Sequence, residues 1–89
     1  MHTIWKTVLA PQSVQEVEVP QGAEFLCARE QHGSLAVWFR CDPTAPKDHR
    51  KLAVCVTGGD APSPEQGRYL GTALLYDGTL VCHIFEPNP

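Results

Sequence analysis

The sequence predicts an all-β fold: a single small antiparallel sandwich or barrel of about six to seven short strands, with little or no helix. Apolar residues recur with the period of two that is typical of strands, and proline and glycine interrupt the chain at short intervals. In addition, Asp77-Gly78 separates two apolar runs within Tyr69–Glu86. This dipeptide is typical of a two-residue hairpin turn, because aspartate tolerates a positive φ and glycine adopts one freely.

The first half of the chain divides into four predicted strands, with turn residues between them. They are Thr3–Leu9, Val14–Val19, Glu24–Glu30 and Ser34–Cys41. Valine and glutamate alternate in the second of these, which is typical of a strand with one solvated face. The fourth is apolar on both faces apart from Arg40, so we expect a central strand with Trp38 in the core.

The second half contains two predicted irregular segments and three predicted strands. Asp42–Arg50 contains two prolines and many polar residues and is predicted as a loop, with a strand at Lys51–Thr57 after it. Gly58–Gly67 is the second irregular segment, and the closing hairpin follows. We expect one domain over residues 1–89, in which residues 87–89 form a flexible tail.

The composition is that of a small globular domain and argues against a nucleic-acid partner. Apolar residues make up 43% of the 89 residues, and the formal net charge is −3. A general nucleic-acid-binding protein usually carries clustered positive charge, so no nucleic-acid partner is expected. The sequence has no recognisable signal peptide or membrane-spanning segment, so we expect a cytoplasmic protein without membrane association.

The four cysteines and four histidines form no familiar catalytic or metal-binding motif. Without an export signal, free thiols packed as small hydrophobic side chains are favoured over disulfides. No cysteine pair has the close spacing of a structural zinc site, so neither metal nor cofactor is expected. His83 is expected to be partly buried and hydrogen-bonded within the sheet. A nucleophilic Cys–His pair needs an electropositive, exposed thiolate, so the sequence predicts no enzyme.

A glycine turn and nearby basic residues are the candidate site for a small anion. Backbone N–H groups of such a turn can bind an anion, although the Lys-Ser/Thr ending of a P-loop is missing here. Ordinary solvated loop charge is the interpretation favoured over such a site. One small barrel offers little cavity volume, so such a site would lie at a homo-oligomer interface. The candidate residues are His49, Arg50, Lys51, Thr57, Gly58, Gly59 and Arg68.

Aromatic residues beside the irregular segments are the candidate protein interface. Trp5 and Tyr69 lie near predicted strand ends, where exposure would make them interface anchors and burial would make them core residues. The predicted contact surface consists of the segments Asp42–Lys51 and Thr57–Arg68 together with these aromatic residues. The candidate interface residues are Trp5, Lys47, Asp60 and Tyr69.

Five motifs are distributed over nearly the whole length of the chain: TIWK at Thr3–Lys6, VPQGAEFL around Pro20–Leu26, SLAVWFRCDPTAP at Ser34–Pro46, VTGG at Val56–Gly59 and RYLGTALLYDGTLVCHIFE at Arg68–Glu86. Together they resemble a family of short bacteriophage and prophage proteins that is carried as a domain of unknown function. Members of that family more often have G-T-G where this chain has Thr57-Gly58-Gly59, and they have fewer cysteines.

The resemblance implies a non-enzymatic accessory protein in the host bacterial cytoplasm that acts by binding a host protein. Inhibition of an antiviral defence protein by steric occlusion is the leading hypothesis. One alternative is a protein that binds or sequesters a small, nucleotide-like anion. A second alternative is a structural protein of the virion, in which the edge strand Thr3–Leu9 adds to a neighbouring sheet.

Overall fold

Seven strands form two antiparallel sheets in the computed structural model, which describes residues 1–88. Sheet A has the strand order β1-β4-β3, and sheet B has the order β2-β5-β7-β6. This architecture confirms the predicted all-β sandwich. The strands are β1 (Thr3–Leu9), β2 (Val14–Pro20), β3 (Glu24–Gln31), β4 (Ser34–Cys41), β5 (Lys47–Val56), β6 (Gly67–Leu75) and β7 (Leu80–Pro87).

No part of residues 1–88 forms a helix of the length and hydropathy needed to cross a membrane.

The hydrophobic core lies between the two sheets. Alternate residues of each strand point inward, as the period of two predicts, and Phe25 of sheet A and Ile84 of sheet B are completely buried. No charged or polar residue is buried among residues 1–88, and no buried side-chain nitrogen or oxygen there lacks a hydrogen-bond partner. The core is therefore stabilised by apolar burial.

The sheets approach each other most closely where β3 meets β6. Each strand has an irregularity in its pairing at this point, between Phe25 and Cys27 in β3 and between Tyr69 and Gly71 in β6. A Cβ atom on Gly71 would lie 2.1 Å from the carbonyl oxygen of Ala28. Only glycine allows two backbones to approach this closely, so the contact between β3 and β6 on this side of the sandwich requires Gly71.

The opposite side of the sandwich is bounded by β1 and β2, the outermost strands of their sheets. Within residues 1–88 no strand pairing joins them. The indole ring of Trp5 packs edge-on against Phe39 with ring centroids 6.5 Å apart, and the Lys47 ammonium lies 4.8 Å from the indole centroid. Trp5 and Lys47 thus cover the gap that the sheets leave open.

The predicted loop at Asp42–Arg50 is wrong beyond residue 46, because β5 already begins at Lys47. Its first residues pair with the acidic strand β2: His49 lies opposite Glu18, and Lys51 lies opposite Glu16. The backbone pairing with β2 holds this polar part of the sheet in place, although its residues lack the apolar alternation of a typical strand. The remaining turn is held by Asp42, whose Oδ1 accepts hydrogen bonds from the backbone and hydroxyl of Thr44.

The hairpin turn between β6 and β7 differs from the predicted two-residue turn. Leu75 pairs with Leu80, so four residues connect the strands. Asp77 and Gly78 have the expected positive φ, but Tyr76 also has a φ of 52°. The tight two-residue turn is instead at His32-Gly33, between β3 and β4, where both residues have a positive φ.

Two further expectations differ from the structure. Trp38 is only partly buried and lies on the outer face of sheet A, since its neighbours Val37 and Phe39 point into the core. In the predicted tail, Pro87 belongs to β7, and the Asn88 backbone N–H donates a 2.7 Å hydrogen bond to the carbonyl of Gln66. Residue 89 lies outside the described residues.

Candidate functional site

Arg50, Arg68 and Glu86, here called the arginine cluster, lie together at the end of sheet B that faces β3. They occupy inward-facing positions near the ends of β5, β6 and β7. Arg50 forms an ion pair with one oxygen of the Glu86 carboxylate, and Arg68 lies 3.5 Å from the other. One carboxylate therefore neutralises part of the charge of two guanidinium groups.

The arginine cluster also connects the two sheets. Arg50 donates a 2.8 Å hydrogen bond to the carbonyl of Ala23, and Arg68 donates a 2.6 Å bond to the carbonyl of Phe25. The Arg50 guanidinium lies 5.0 Å from the centroid of the Phe25 ring. These contacts satisfy backbone carbonyls beside the irregularity in β3, where the strand pairing is interrupted. Both predicted ligand-binding arginines thus have partners within the protein.

The glycine turn lies at the other end of β5 from the arginine cluster. Arg50 and Thr57 are separated by seven residues of extended chain, a distance of about 23 Å. The Gly59 N–H donates to the carbonyl of Val56 at 2.9 Å, so this amide is already engaged. Gly58 has a φ of 88° and lies in open space. The structure therefore does not bring Thr57, Gly58 and Gly59 into one pocket with Arg68.

The other basic candidates lie on the outward side of β5. His49 Nε2 is 3.4 Å from a carboxylate oxygen of Glu18, and both side chains are exposed. A shallow open groove of about 530 Å³ adjoins these residues. Its lining includes His49, Arg50, Lys51, Glu86, Pro87 and Asn88. The lining carries both signs of charge and gives only weak preference for an anion.

The outward side of sheet B presents aromatic and aliphatic side chains to solvent. Cross-strand pairing places them side by side: Tyr69 opposite Phe85, Thr72 opposite His83 and Leu74 opposite Val81. Tyr69 is 57% exposed and Leu74 is 56% exposed. We call this surface the tyrosine face; it consists of Tyr69, Thr72, Leu74, Val81, His83 and Phe85.

A row of hydrogen bonds fixes the polar groups of the tyrosine face. The Tyr69 hydroxyl lies 2.6 Å from the Thr72 hydroxyl, which lies 3.0 Å from His83 Nδ1. His83 Nε2 lies 2.8 Å from the Thr57 hydroxyl. A threonine hydroxyl can donate or accept, so both ring nitrogens are satisfied in either neutral tautomer. His83 is thus partly buried and hydrogen-bonded, as the sequence predicts.

Cys55 lies directly opposite His83 in the pairing of β5 with β7. Burial and the nearby carboxylate of Asp60 raise the pKa of the Cys55 thiol. A raised pKa favours the thiol over the thiolate, which is the opposite of what nucleophilic catalysis needs. Among residues 1–88, no group of three or more His, Cys, Asp or Glu side chains is arranged to hold a metal ion.

The four candidate interface residues lie in two separate parts of the structure. Trp5 and Lys47 contact each other across the open side of the sandwich. Tyr69 is on the tyrosine face, and Asp60 is at its margin near Cys55. Tyr69 packs against the Phe85 ring with centroids 5.6 Å apart. Of the two aromatic candidates, Tyr69 is the more exposed, at 57% against 38% for Trp5.

Sequence reasoning missed Glu86 and Thr72. A signal for Glu86 was present, because it alternates with the inward-facing Cys82 and Ile84 at the end of β7. Arg68 likewise lies two residues from the inward-facing Leu70 in β6. Opposite charges at inward-facing strand ends indicate an internal ion pair. Thr72 carried no comparable signal, since its role depends on the pairing of β6 with β7.

Comparison with known families identifies the chain. A family model described as a domain of unknown function (DUF7352) matches residues 1–89, so the chain belongs to that family. Neither a curated protein nor a solved structure shows significant similarity to it.

Proposed function

We propose that this chain is a non-enzymatic accessory protein of a phage or prophage that binds a host protein through the tyrosine face. Binding inhibits the host protein, an antiviral defence protein, by steric occlusion in the host cytoplasm. The proposal places the contact surface on β6 and β7 of sheet B. It replaces the two segments Asp42–Lys51 and Thr57–Arg68 as the centre of the contact; half of the first segment, Lys47–Lys51, is paired strand.

The observation that carries the proposal is that Tyr69 is exposed and yet held in place. More than half of the side chain is accessible, while its hydroxyl is hydrogen-bonded to Thr72 and its ring packs against Phe85. A side chain that is fixed before binding loses little conformational entropy when a partner covers it. Tyrosine is also among the residues enriched at the energetic centres of protein interfaces.

The surroundings of Tyr69 also fit an interface. Leu74 and Val81 extend the apolar surface along β6 and β7, and the tyrosine face itself contains no acidic or lysine side chain. Depletion of charged residues at the centre and an aromatic anchor are features of interface cores. The two threonines beside His83 satisfy its nitrogens without a ligand, which supports a binding surface over a catalytic site.

Affinity capture with matched variants tests this proposal. The wild-type protein, Tyr69→Ala and Tyr76→Ala are each immobilised and exposed to lysate of the bacterium that carries the gene. Tyr76 is 66% exposed but lies in the turn between β6 and β7, so it is the control for loss of an exposed tyrosine. We expect one stoichiometric partner with the wild type and Tyr76→Ala, and at least about tenfold weaker binding with Tyr69→Ala.

Equal recovery of that partner by all three proteins would contradict the tyrosine face as the contact surface. Recovery of virion components in place of a host protein would contradict the inhibitory function and favour a structural role. Circular dichroism of each variant, compared with that of the wild type, shows that a loss of binding does not reflect unfolding.

A further inference from the structure

Strand β1 is a free edge of sheet A. It pairs with β4 on one side, over the whole length from Thr3 to Leu9, and with no other strand among residues 1–88. Alternate backbone N–H and C=O groups along its other side point away from the sheet. Such an edge is a template for a further antiparallel strand unless charged residues, proline, a bulge or a covering segment of chain protect it.

On the same side of the sandwich, the edge strand β2 of sheet B has this protection. Glu16 and Glu18 project from its solvated face, and Pro20 ends the strand. Two β2 strands placed side by side would bring these carboxylates together, which is unfavourable. The only charged residue of β1 is Lys6, and its Nζ donates a 2.6 Å hydrogen bond to Gln31 Oε1 on β3. The Lys6 ammonium is thus directed across sheet A, away from the free edge.

The side chains of β1 are also self-complementary. Ile4 and Val8 flank Lys6 at equal separations on the outer face, and they are 58% and 56% exposed. An antiparallel pairing with a twofold axis at Lys6 places Ile4 of one copy opposite Val8 of the other, twice. Each contact covers two exposed branched side chains, and such pairs stabilise a sheet.

We propose that β1 pairs with β1 of a second copy of this chain about a twofold axis at Lys6. Sheet A then continues through the contact as a six-stranded antiparallel sheet. The contact lies on the edge of sheet A, so the tyrosine face of each copy remains accessible. The dimer has two equivalent binding surfaces, and it does not depend on what the tyrosine face binds.

Analytical ultracentrifugation over a concentration series tests the dimer. A contact of one strand on each side is small, so we expect a reversible equilibrium between monomer and dimer. Ile4→Lys is expected to weaken the dimer at least about tenfold, because it removes both apolar pairs and adds like charge. Val14→Lys on β2 is the matched control, since Val14 is also 58% exposed and lies on the other edge strand.

Oxidative cross-linking tests the register. Residues at the twofold axis face each other with Cα atoms about 5 Å apart, which a disulfide can span. Lys6→Cys is therefore expected to form a covalent dimer beyond the background of the wild-type cysteines. Ile4→Cys is the control, because the two substituted positions would lie about 13 Å apart in this register.

Three results would overturn the proposal. The first is a wild-type protein that stays monomeric at every concentration. The second is a dimer that Ile4→Lys and Val14→Lys weaken equally. The third is a dimer in which Lys6→Cys does not cross-link, since the contact would then use another surface or another register.

Discussion

The arginine cluster and the tyrosine face lie on opposite sides of sheet B and satisfy their polar groups in different ways. On the inward side, Arg50 and Arg68 are bound to Glu86 and to the carbonyls of Ala23 and Phe25, so they connect the two sheets. On the outward side, Tyr69 and His83 are hydrogen-bonded to threonines of the same sheet and still reach solvent. The first arrangement serves stability, and the second leaves an ordered, solvent-exposed surface, which is the contact surface that we propose.

The largest effect is expected where the inward side of sheet B contacts β3. Gly71→Ala places a methyl group against the Ala28 carbonyl, which belongs to the backbone and cannot move aside. We expect a loss of about 4 kcal/mol or more in the free energy of unfolding, measured by urea denaturation. Gly22→Ala is the control: its added methyl meets nothing within 4 Å, although its φ is 82°, so the cost should be about 1 kcal/mol. Equal losses would contradict the close approach of β3 and β6.

A smaller effect is expected in the arginine cluster. Glu86→Gln keeps the shape of the side chain but leaves two guanidinium groups without their carboxylate, so unfolding should become easier by about 2–3 kcal/mol. Glu24→Gln is the matched control, because Glu24 pairs with Arg40 where both side chains are about half exposed. An exposed pair contributes about 0–1 kcal/mol. If both substitutions lower the free energy of unfolding by the same amount in urea denaturation, the arginine cluster does not connect the sheets.

The smallest effect concerns two thiols on opposite sides of sheet B. Burial raises the pKa of Cys82 on the inward side, and burial together with Asp60 raises that of Cys55 on the outward side. The pKa of a cysteine thiol in the unfolded chain is about 8.5, and in the folded protein the pKa of these two thiols is higher. Their contribution to the free energy of unfolding is therefore complete below about pH 8.5 and is lost as the pH rises above it. We therefore expect a lower urea midpoint at pH 9.5 than at pH 7.

Alkylation at pH 8, followed by mass spectrometry of the peptides, separates the two thiols. Cys55 should react slowly in the folded protein, and Cys82 should react only on unfolding. Asp60→Asn should accelerate alkylation of Cys55 about twofold and leave Cys82 unchanged. Rapid alkylation of Cys82 in the folded state would show that the inward side of sheet B is open to solvent.

The sequence predicted most strands because period-two alternation and turn residues are local signals. The boundaries of β1 and β4 agree with the structure: β4 lies between the turn at His32-Gly33 and the turn after Cys41, and β1 ends shortly before Pro11. The start of β5 at Lys47 was missed because this polar segment is held by its pairing with β2, about 30 residues earlier in the chain. A long-range pairing of this kind leaves no local signal in either segment.

The candidate site was less predictable for the same reason. Placing Arg68 beside the glycine turn assumed that neighbours in sequence are neighbours in space. In the structure β7 lies between β5 and β6, so Arg50 and Arg68 meet at Glu86 and the turn is at the far end of β5. Tyr69 was identified from its residue type and position, but the hydrogen bond to Thr72 that fixes it depends on the bulge between Tyr69 and Gly71.

The central claim is that the outward side of sheet B binds the partner, and hydroxyl-radical footprinting of the complex tests it directly. The measurement compares side-chain oxidation in the free protein with oxidation in the complex with the captured partner. We expect protection of Tyr69, Leu74 and Phe85, with no change at Trp5 on the opposite sheet. Protection at Trp5 while Tyr69 remains as reactive as in the free protein would contradict the account.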